Sequence, residues 1–275
     1  MNSVRPPRRH LLGLALVSIL VVGSGGRCGE DPMTWRVVWQ DEFEGAAGQS
    51  PDPSRWQFDV GEDWGNAQLE YDTSRPQNVS LDGNGNLAIT ARKEEYLGRE
   101  YTSGRINTRG LFEQQGGRFE ARIRLPVGRG IWPAFWLLGS DFEEVGWPTC
   151  GEIDIMEYRG QEPDIVHGSV HGPGYSGGSA VTGRYDSAGV GLDGDFHIFA
   201  VEWDYDRITW ILDSTRYLSI TRDSLPSGTR WVFDHPFFII LNVAVGGNFV
   251  GPPDSETSFP QTMLVDWVRV YRLEP

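Results

Sequence analysis

One segment, residues 151–158, constrains this chain more than any other. It has the apolar content of a buried β-strand, yet it contains the carboxylates of Glu152, Asp154 and Glu157. Strand side chains alternate between two faces, so Glu152 and Asp154 share a face that Glu157 would not share in a regular strand. One extra residue after Asp154, a β-bulge with Met156 as the insertion, would return Glu157 to that face. The segment therefore predicts a bulged strand with three acids on one side.

Two other interpretations of these acids stay open. A surface strand can carry scattered carboxylates, and clustered acids can bind calcium. The neighbouring Ile153, Ile155 and Met156 favour burial, and buried acids are rare unless they have a role. Acids on a strand also lack the loop that usually wraps a calcium ion. A functional acidic strand is therefore the favoured interpretation.

Paired carboxyl groups in different protonation states are what cleavage of a β-glycosidic bond requires. One group protonates the leaving sugar, while the other is ionised and attacks or stabilises the anomeric carbon. The Cα atoms of Glu152 and Glu157 would be roughly 13 Å apart along a strand, so their side chains must lean towards each other. Asp154 between them would help to keep the acid protonated by like-charge repulsion.

The rest of the chain is typical of one large β-domain. It has 35 Gly, 17 Pro and no long helical periodicity, which suits many short strands joined by turns. Residues 117–125 alternate between apolar and charged, and residues 237–243 are apolar on both faces, as in a central strand. Further strands are predicted at residues 86–92, 196–203, 207–212 and 263–271, with a turn at residues 82–85. One β-sandwich over residues 34–275 is the simplest interpretation.

Residues 1–33 are predicted to be a secretory signal peptide and linker. Arginines precede an apolar run at residues 11–22, small residues follow it, and the run is short for a membrane span. A lipid anchor at Cys28 is a weaker alternative, because Arg27 before it fits such a signal poorly. We therefore expect a protein that is secreted to the extracellular space and does not bind membranes.

The formal net charge of −14 disfavours two classes of partner. An acidic surface repels nucleic acids and anionic membranes but tolerates a neutral polymer. The two cysteines, Cys28 and Cys150, are not expected to pair, so stability must come from the core or from a metal. We expect a monomer whose catalysis needs no cofactor.

The sequence Glu-Ile-Asp-Ile-Met-Glu at residues 152–157 resembles the Glu-x-Asp-x-x-Glu signature of glycoside hydrolase family 16, and in particular its bacterial laminarinases, which are endo-β-1,3-glucanases. Other segments resemble the family in the same order, at residues 39–43, 64–71, 103–106, 130–136, 167–175, 240–247 and 266–271. The resemblance implies an all-β, concanavalin-like jelly-roll β-sandwich of two curved antiparallel sheets with a concave substrate cleft.

The same resemblance implies roles for particular residues. Glu152 would be the nucleophile and Glu157 the acid/base of a retaining double displacement, with Asp154 assisting Glu152. Six residues would bind substrate: Asn66, Arg105, Trp132, Trp136, His171 and Asn242. Core packing is the alternative for the two tryptophans.

A structural calcium site is also implied by the resemblance. It would use Glu42, the carbonyl of Gly85 and Asp266, and would join the two ends of the domain away from the cleft. An ordinary hydrogen-bonding role for Asp266 is the alternative. The histidines do not show the spacing of a zinc site.

The leading hypothesis is thus a secreted glucanase that hydrolyses internal β-1,3-glucosidic bonds of laminarin-type β-glucans, with mixed-linkage β-glucans as further candidate substrates. A β-glucan-binding lectin on the same sandwich is an alternative, but lectins related to the family typically lack the Glu pair that this chain keeps. A family relative that acts on galactans, or a transglycosylase that replaces water by a sugar acceptor, are further alternatives.

Overall fold

The computed structural model describes residues 33–275, and nearly all of its regular structure is β-strand. The predicted signal peptide and linker, with Cys28, lie outside the described residues except for Met33. Within the described part of the chain, no helix has the length and apolar character that crossing a membrane requires.

The strands follow one another along the whole described chain. They are β1 (Thr34–Asp41), β2 (Gln57–Phe58), β3 (Glu70–Asp72), β4 (Val79–Leu81), β5 (Leu87–Tyr96), β6 (Arg99–Ser103), β7 (Arg105–Asn107), β8 (Gly117–Arg124), β9 (Ile131–Gly139), β10 (Glu152–Tyr158), β11 (Ile165–His171), β12 (Val181–Asp186), β13 (His197–Trp203), β14 (Arg207–Leu212), β15 (Thr215–Thr221), β16 (Phe237–Val245) and β17 (Gln261–Glu274). One short helix, α1 (Phe142–Val145), and two 3₁₀ turns, Gly177–Ser179 and Arg222–Ser224, interrupt them.

These strands form two sheets. The larger sheet has the order β15-β14-β13-β8-β17-β5-β6-β3, with β1 paired to β17 and β4 paired to β5. The smaller sheet has the order β12-β11-β10-β9-β16-β7-β2. Neighbouring strands are antiparallel, apart from the short parallel pair β3 and β6. The predicted all-β sandwich is therefore confirmed, with one parallel pair that the sequence did not reveal.

The hydrophobic core lies between the two sheets and follows the alternation that the sequence showed. In β8, Phe119, Ala121 and Ile123 are fully buried, whereas all nine residues of β16 are buried, as expected for a central strand. Burial of a large apolar side chain contributes about 1.5–3 kcal/mol, so this shared core holds the sheets together. The face of the smaller sheet that points away from the core, termed here its outer face, is where polar side chains gather.

Candidate active site

Strand β10 carries the predicted bulge. Its register against β11 shifts between Asp154 and Glu157, and its register against β9 shifts between Asp154 and Met156. Met156 pairs with Phe135 on β9, so the residue without a partner in either ladder is Ile155. The bulge is thus confirmed, but its unpaired residue is Ile155 rather than Met156.

The bulge breaks the alternation of faces in the way the acids require. Ile155 and Met156 are consecutive, yet both are buried in the core between the sheets. That repeat returns Glu157 to the outer face, which Glu152 and Asp154 already share. The three acids of β10 therefore lie on one side of one strand.

Each of the two glutamates accepts a hydrogen bond from a tryptophan. The Trp147 Nε1–H donates to Glu152 Oε2 over 3.0 Å. The Trp132 Nε1–H donates to Glu157 Oε1 over 3.2 Å. These donors are neutral, so they orient the carboxyl groups without supplying a balancing charge. Trp147, in the loop before β10, is therefore part of the site.

His171 faces the acids from β11. Its Nδ1 accepts the backbone N–H of Gly177 over 3.1 Å, so the neutral ring carries its proton on Nε2. That Nε2 lies 3.0 Å from Asp154 Oδ2 and 3.5 Å from Glu152 Oε1. The residue predicted to bind substrate is thus aimed at the carboxyl groups themselves.

The acids of β10 hold protons more tightly than ordinary carboxyl groups. Burial, aided by the charge of Asp154, raises the pKa of Glu157 to about 8. Burial and Asp154 also raise the pKa of Glu152 to about 8, against the opposing effects of His171 and Trp147. Burial raises the pKa of Asp154 to about 8. Asp154 is buried and the two glutamates beside it are partly buried, so the three carboxyl groups cannot all be ionised at neutral pH and the cluster retains a proton for a leaving group.

A contiguous polar and aromatic surface extends from the acids across β9, β16 and β7. Trp136 pairs with Asp154 across the strands, and its Nε1–H donates to Asn242 Oδ1 over 2.8 Å. Asn242 in turn pairs with Arg105, whose guanidinium lies 4.9 Å from the ring of Trp136 and 4.9 Å from that of Trp64. Three of the predicted substrate-binding residues are therefore brought together beside the acids.

Trp132 and Asn66 lie near each other, since a Cβ added to Gly247 would be 3.4 Å from the ring of Trp132 and 2.9 Å from the backbone oxygen of Asn66. Trp132 packs against Phe249, with ring centroids 5.1 Å apart, in a small cluster separate from the main core. Asn66 is exposed in a loop, where its backbone carbonyl oxygen accepts a hydrogen bond from the backbone N–H of Asn248 over 2.8 Å. Trp132 is thus buried in a small apolar cluster, while its indole N–H points to Glu157.

Arg105 is surrounded by acids that sequence reasoning missed. Its Nε–H donates to Asp59 Oδ2 over 2.9 Å. Glu70 and Asp72, which are 2% and 1% exposed, feel its positive charge. Burial raises the pKa of Glu70 to about 7 and that of Asp72 well above its usual range. Their alternation along one strand was the available signal, because buried acids two residues apart share a face.

The residues of the predicted calcium site are engaged by arginines. Arg269 donates to both oxygens of Glu42, over 2.8 and 2.9 Å, and Arg122 donates to Asp266 over 2.6 Å. As arranged here, these carboxylates do not fit a calcium ion unless the guanidinium groups move. The calcium site, including the carbonyl of Gly85, stays a prediction.

A different group has the geometry that a metal ion would need. Within residues 33–275, only Glu152, Asp154 and His171 bring three potential ligand atoms within 4.8 Å of one another. A proton on His171 Nε2, facing the carboxyl groups of Asp154 and Glu152, accounts for the short distances between these three side chains. We therefore assign them no metal.

Comparison with known proteins places this site in a family. The chain matches the family described as Glycosyl hydrolases family 16 over residues 66–269. A beta-glucanase from Rhodothermus marinus is 44% identical over 255 residues, which cover 86% of this chain and 85% of that protein.

Solved structures share the fold as well. The laminarinase catalytic domain from Thermotoga maritima MSB8 is 47% identical with a TM-score of 0.83, over 88% of this chain and 99% of that one. The endo-beta-1,3-glucanase from Pyrococcus furiosus is 46% identical with a TM-score of 0.83, over 88% of this chain and 96% of that one. The resemblance found in the acidic strand extends over the whole domain, and the chain belongs to glycoside hydrolase family 16.

Proposed function

We propose that this protein is an endo-acting glucanase that hydrolyses internal β-1,3-glucosidic bonds of laminarin-type polysaccharides. The observation that carries the proposal is the bulged strand β10, which places Glu152, Asp154 and Glu157 on one face. The similarity to a beta-glucanase and to laminarinases supports the choice of substrate.

In the first step Glu157, whose raised pKa keeps it protonated, gives its proton to the glycosidic oxygen as the bond from the anomeric carbon breaks. With the retained proton of the cluster on Glu157, Glu152 is ionised, attacks that carbon and forms a glycosyl ester. Trp147 and His171 face Glu152 and favour its charged form, while Asp154 lies between the two glutamates as the residue that assists the nucleophile.

In the second step the deprotonated Glu157 takes a proton from water, which attacks the anomeric carbon and releases Glu152. Two inversions at the same carbon give a product that retains the β-configuration. A retaining double displacement needs the two carboxyl groups to flank the scissile bond, and the bulge places both glutamates on the face that we propose contacts the sugar chain.

The surface beside the acids suits a neutral glucan. Indole rings such as that of Trp136 offer flat apolar faces to sugar rings, and Asn242 and Arg105 offer hydrogen-bonding groups to hydroxyls. We propose that these residues, with Asn66 and Trp132, hold the glucose units on one side of the scissile bond.

A substrate panel tests the proposal. Laminarin, curdlan, barley glucan, agarose and carrageenan are incubated with the enzyme, and the oligosaccharide products and their anomeric configuration are followed by NMR. We expect laminarin to yield oligosaccharides whose new reducing ends first appear as the β-anomer. Predominant cleavage of agarose, binding of laminarin without product, or an initial α-anomer would each contradict the proposal.

We propose further that the protein is secreted. The support lies in the sequence of residues 1–33, with basic residues before an apolar run. Activity and protein found in the culture medium of an expressing cell, and lost from it when residues 1–33 are deleted, would support secretion. Retention of the full-length chain inside the cell would contradict it.

A further inference from the structure

The backbone at the start of the bulge is tied to the opposite sheet. The Nε1–H of Trp210, on β14 of the larger sheet, donates to the carbonyl oxygen of Asp154 over 2.7 Å. Trp210 is fully buried in the core between the sheets. The contact therefore crosses the core from a structural strand to the strand that carries the acids.

The neighbouring strand makes room for this indole. Gly168 lies on β11, and a Cβ added to it would lie 2.4 Å from Cδ1 and 2.5 Å from Nε1 of Trp210. Real Cβ atoms do not approach other atoms so closely, so the position accepts the ring only while it is glycine. The absence of a side chain at Gly168 on β11 thus leaves the space that the indole of Trp210 on β14 fills.

A bulge creates the need for such a donor. Asp154 is the last residue before the register shifts, and Ile155 after it has no partner in either ladder. A buried carbonyl without a hydrogen bond is costly, and an indole N–H can only donate. Trp210 therefore satisfies the backbone where the ladder is interrupted and favours one conformation of the bulge.

We infer that Trp210 is a positioning residue for catalysis: through the Asp154 carbonyl it fixes the bulge and hence the direction of Glu157 relative to Glu152. The inference rests on the proposed glucanase function, because it concerns how well the acid reaches the glycosidic oxygen. Trp210 lies in the core, so it acts only through the backbone of β10.

The same core offers a matched control. Trp203, on the neighbouring strand β13, is 3% exposed, and its Nε1–H donates to the carbonyl oxygen of Phe233 over 3.2 Å. Trp203→Phe removes the same kind of buried hydrogen bond as Trp210→Phe, but at a carbonyl outside β10. A merely structural loss should look alike in both variants.

The kinetic test compares laminarin with 2,4-dinitrophenyl β-laminaribioside. The dinitrophenolate leaving group of this aryl substrate departs without being protonated. For Trp210→Phe we expect kcat/KM on laminarin to fall about tenfold to a hundredfold, the cost of a misplaced catalytic group. On the aryl substrate we expect a loss within about threefold, since general-acid assistance is not used. Trp203→Phe should stay near wild type on both substrates.

A second pair of variants reaches the same contact from the other side. Gly168→Ala would push the indole away, and its cross-strand partner Gly183 provides the control, because the three atoms nearest to a Cβ there all belong to the side chain of Leu218. We expect Gly168→Ala to reproduce the leaving-group-dependent loss and Gly183→Ala not to. If Trp210→Phe does not fold, the comparison of Gly168→Ala with Gly183→Ala tests the inference in its place.

A readout without turnover separates this inference from the proposed function. The ¹³C-labelled carboxyl of Glu157 is titrated in all variants, and its pKa should change in Trp210→Phe and Gly168→Ala but not in the controls. A wild-type enzyme that cleaves neither substrate would refute the proposed function, and the titration would still test the positioning. Equal losses on both substrates, or an unchanged Glu157 titration in Trp210→Phe and Gly168→Ala, would overturn the inference.

Discussion

Acidic side chains have opposite surroundings on β8 and β13 of the larger sheet and on β10 of the smaller sheet. On the outer face of the larger sheet, Arg118 lies 2.7 Å from Glu120 and 2.8 Å from Glu202, and Arg216 also contacts Glu202 at 2.6 Å. On the outer face of the smaller sheet, the three acids of β10 meet indole N–H groups and an imidazole. Among the described residues, none of these three acids has an arginine within 4.0 Å, the limit for an ion pair.

This difference separates two uses of a carboxyl group. A guanidinium stabilises the ionised form of its partner, so Glu120 and Glu202 are held in ion pairs. An indole offers no charge, so burial dominates and the acids of β10 retain protons near neutral pH. Of these two groups of acids, only the one on β10 can therefore supply a protonated carboxyl to a reaction.

The largest expected effect comes from removing the acids. Glu157→Gln and Glu152→Gln should each lower kcat on laminarin by at least about a thousandfold, because the proton donor or the nucleophile is lost. Glu202→Gln, the matched change on the larger sheet, should keep near-normal kcat. Initial rates and melting temperatures of the three variants check this, and near-normal activity of Glu152→Gln would make the assigned roles wrong.

The pH dependence should expose the retained proton. Activity is expected to fall as pH rises through about 8, the pKa to which burial raises Glu157. A raised pKa gives stability that is fully present below the unfolded pKa and is lost as pH rises through the folded one. Glu157→Gln has no such proton to lose, so between about pH 5 and about pH 9 its melting temperature should fall less than that of wild type. An equal fall of the melting temperature in Glu157→Gln and in wild type over this pH range would contradict the prediction.

A smaller effect is expected at Arg105. Arg105→Lys keeps a charge near Asp59 but loses the planar group held between two indole rings. We expect KM for laminarin oligosaccharides to rise by roughly tenfold with kcat changed far less, since a hydrogen bond to a charged group contributes about 1.5–3 kcal/mol. Arg118→Lys on the larger sheet should leave KM unchanged, and an equal change in both variants would contradict the assignment of Arg105 to the cleft.

The smallest effect concerns calcium. If Asp266 and Glu42 bind the ion, added calcium should raise the melting temperature of wild type by a few degrees, about 1 kcal/mol for a domain of this size, and a chelator should reverse the change. Asp266→Asn should lose the response, and kcat should not change in either case. Identical melting curves with calcium and with chelator would contradict the predicted calcium site.

Much of this arrangement could be predicted from the sequence because it depends on local periodicity. The alternation in β8, the apolar run of β16 and the out-of-phase Glu157 each report which face a residue occupies. The bulge followed from chemistry, since three acids on one face require it. The substrate-binding residues came from the family resemblance, and the register then brought Arg105, Trp136 and Asn242 together.

The rest depended on contacts between distant segments, which periodicity does not report. Trp210 and Asp154 are 56 positions apart, and their hydrogen bond forms only when the sheets pack. The acids around Arg105 come from two separate segments, and the arginines that hold Glu42 and Asp266 come from two strands of the larger sheet. Which residue of the bulge stays unpaired was likewise decided by β9 and β11.

The most direct test is a titration of the carboxyl groups by NMR, with ¹³C-labelled glutamate and the Glu157 resonance identified by its absence in Glu157→Gln. The account predicts that this carboxyl takes up its proton near pH 8, as burial raises its pKa to about 8. A Glu157 resonance that titrates near the ordinary glutamate value of about 4.3 would contradict the claim that the acids of β10 retain a proton for catalysis.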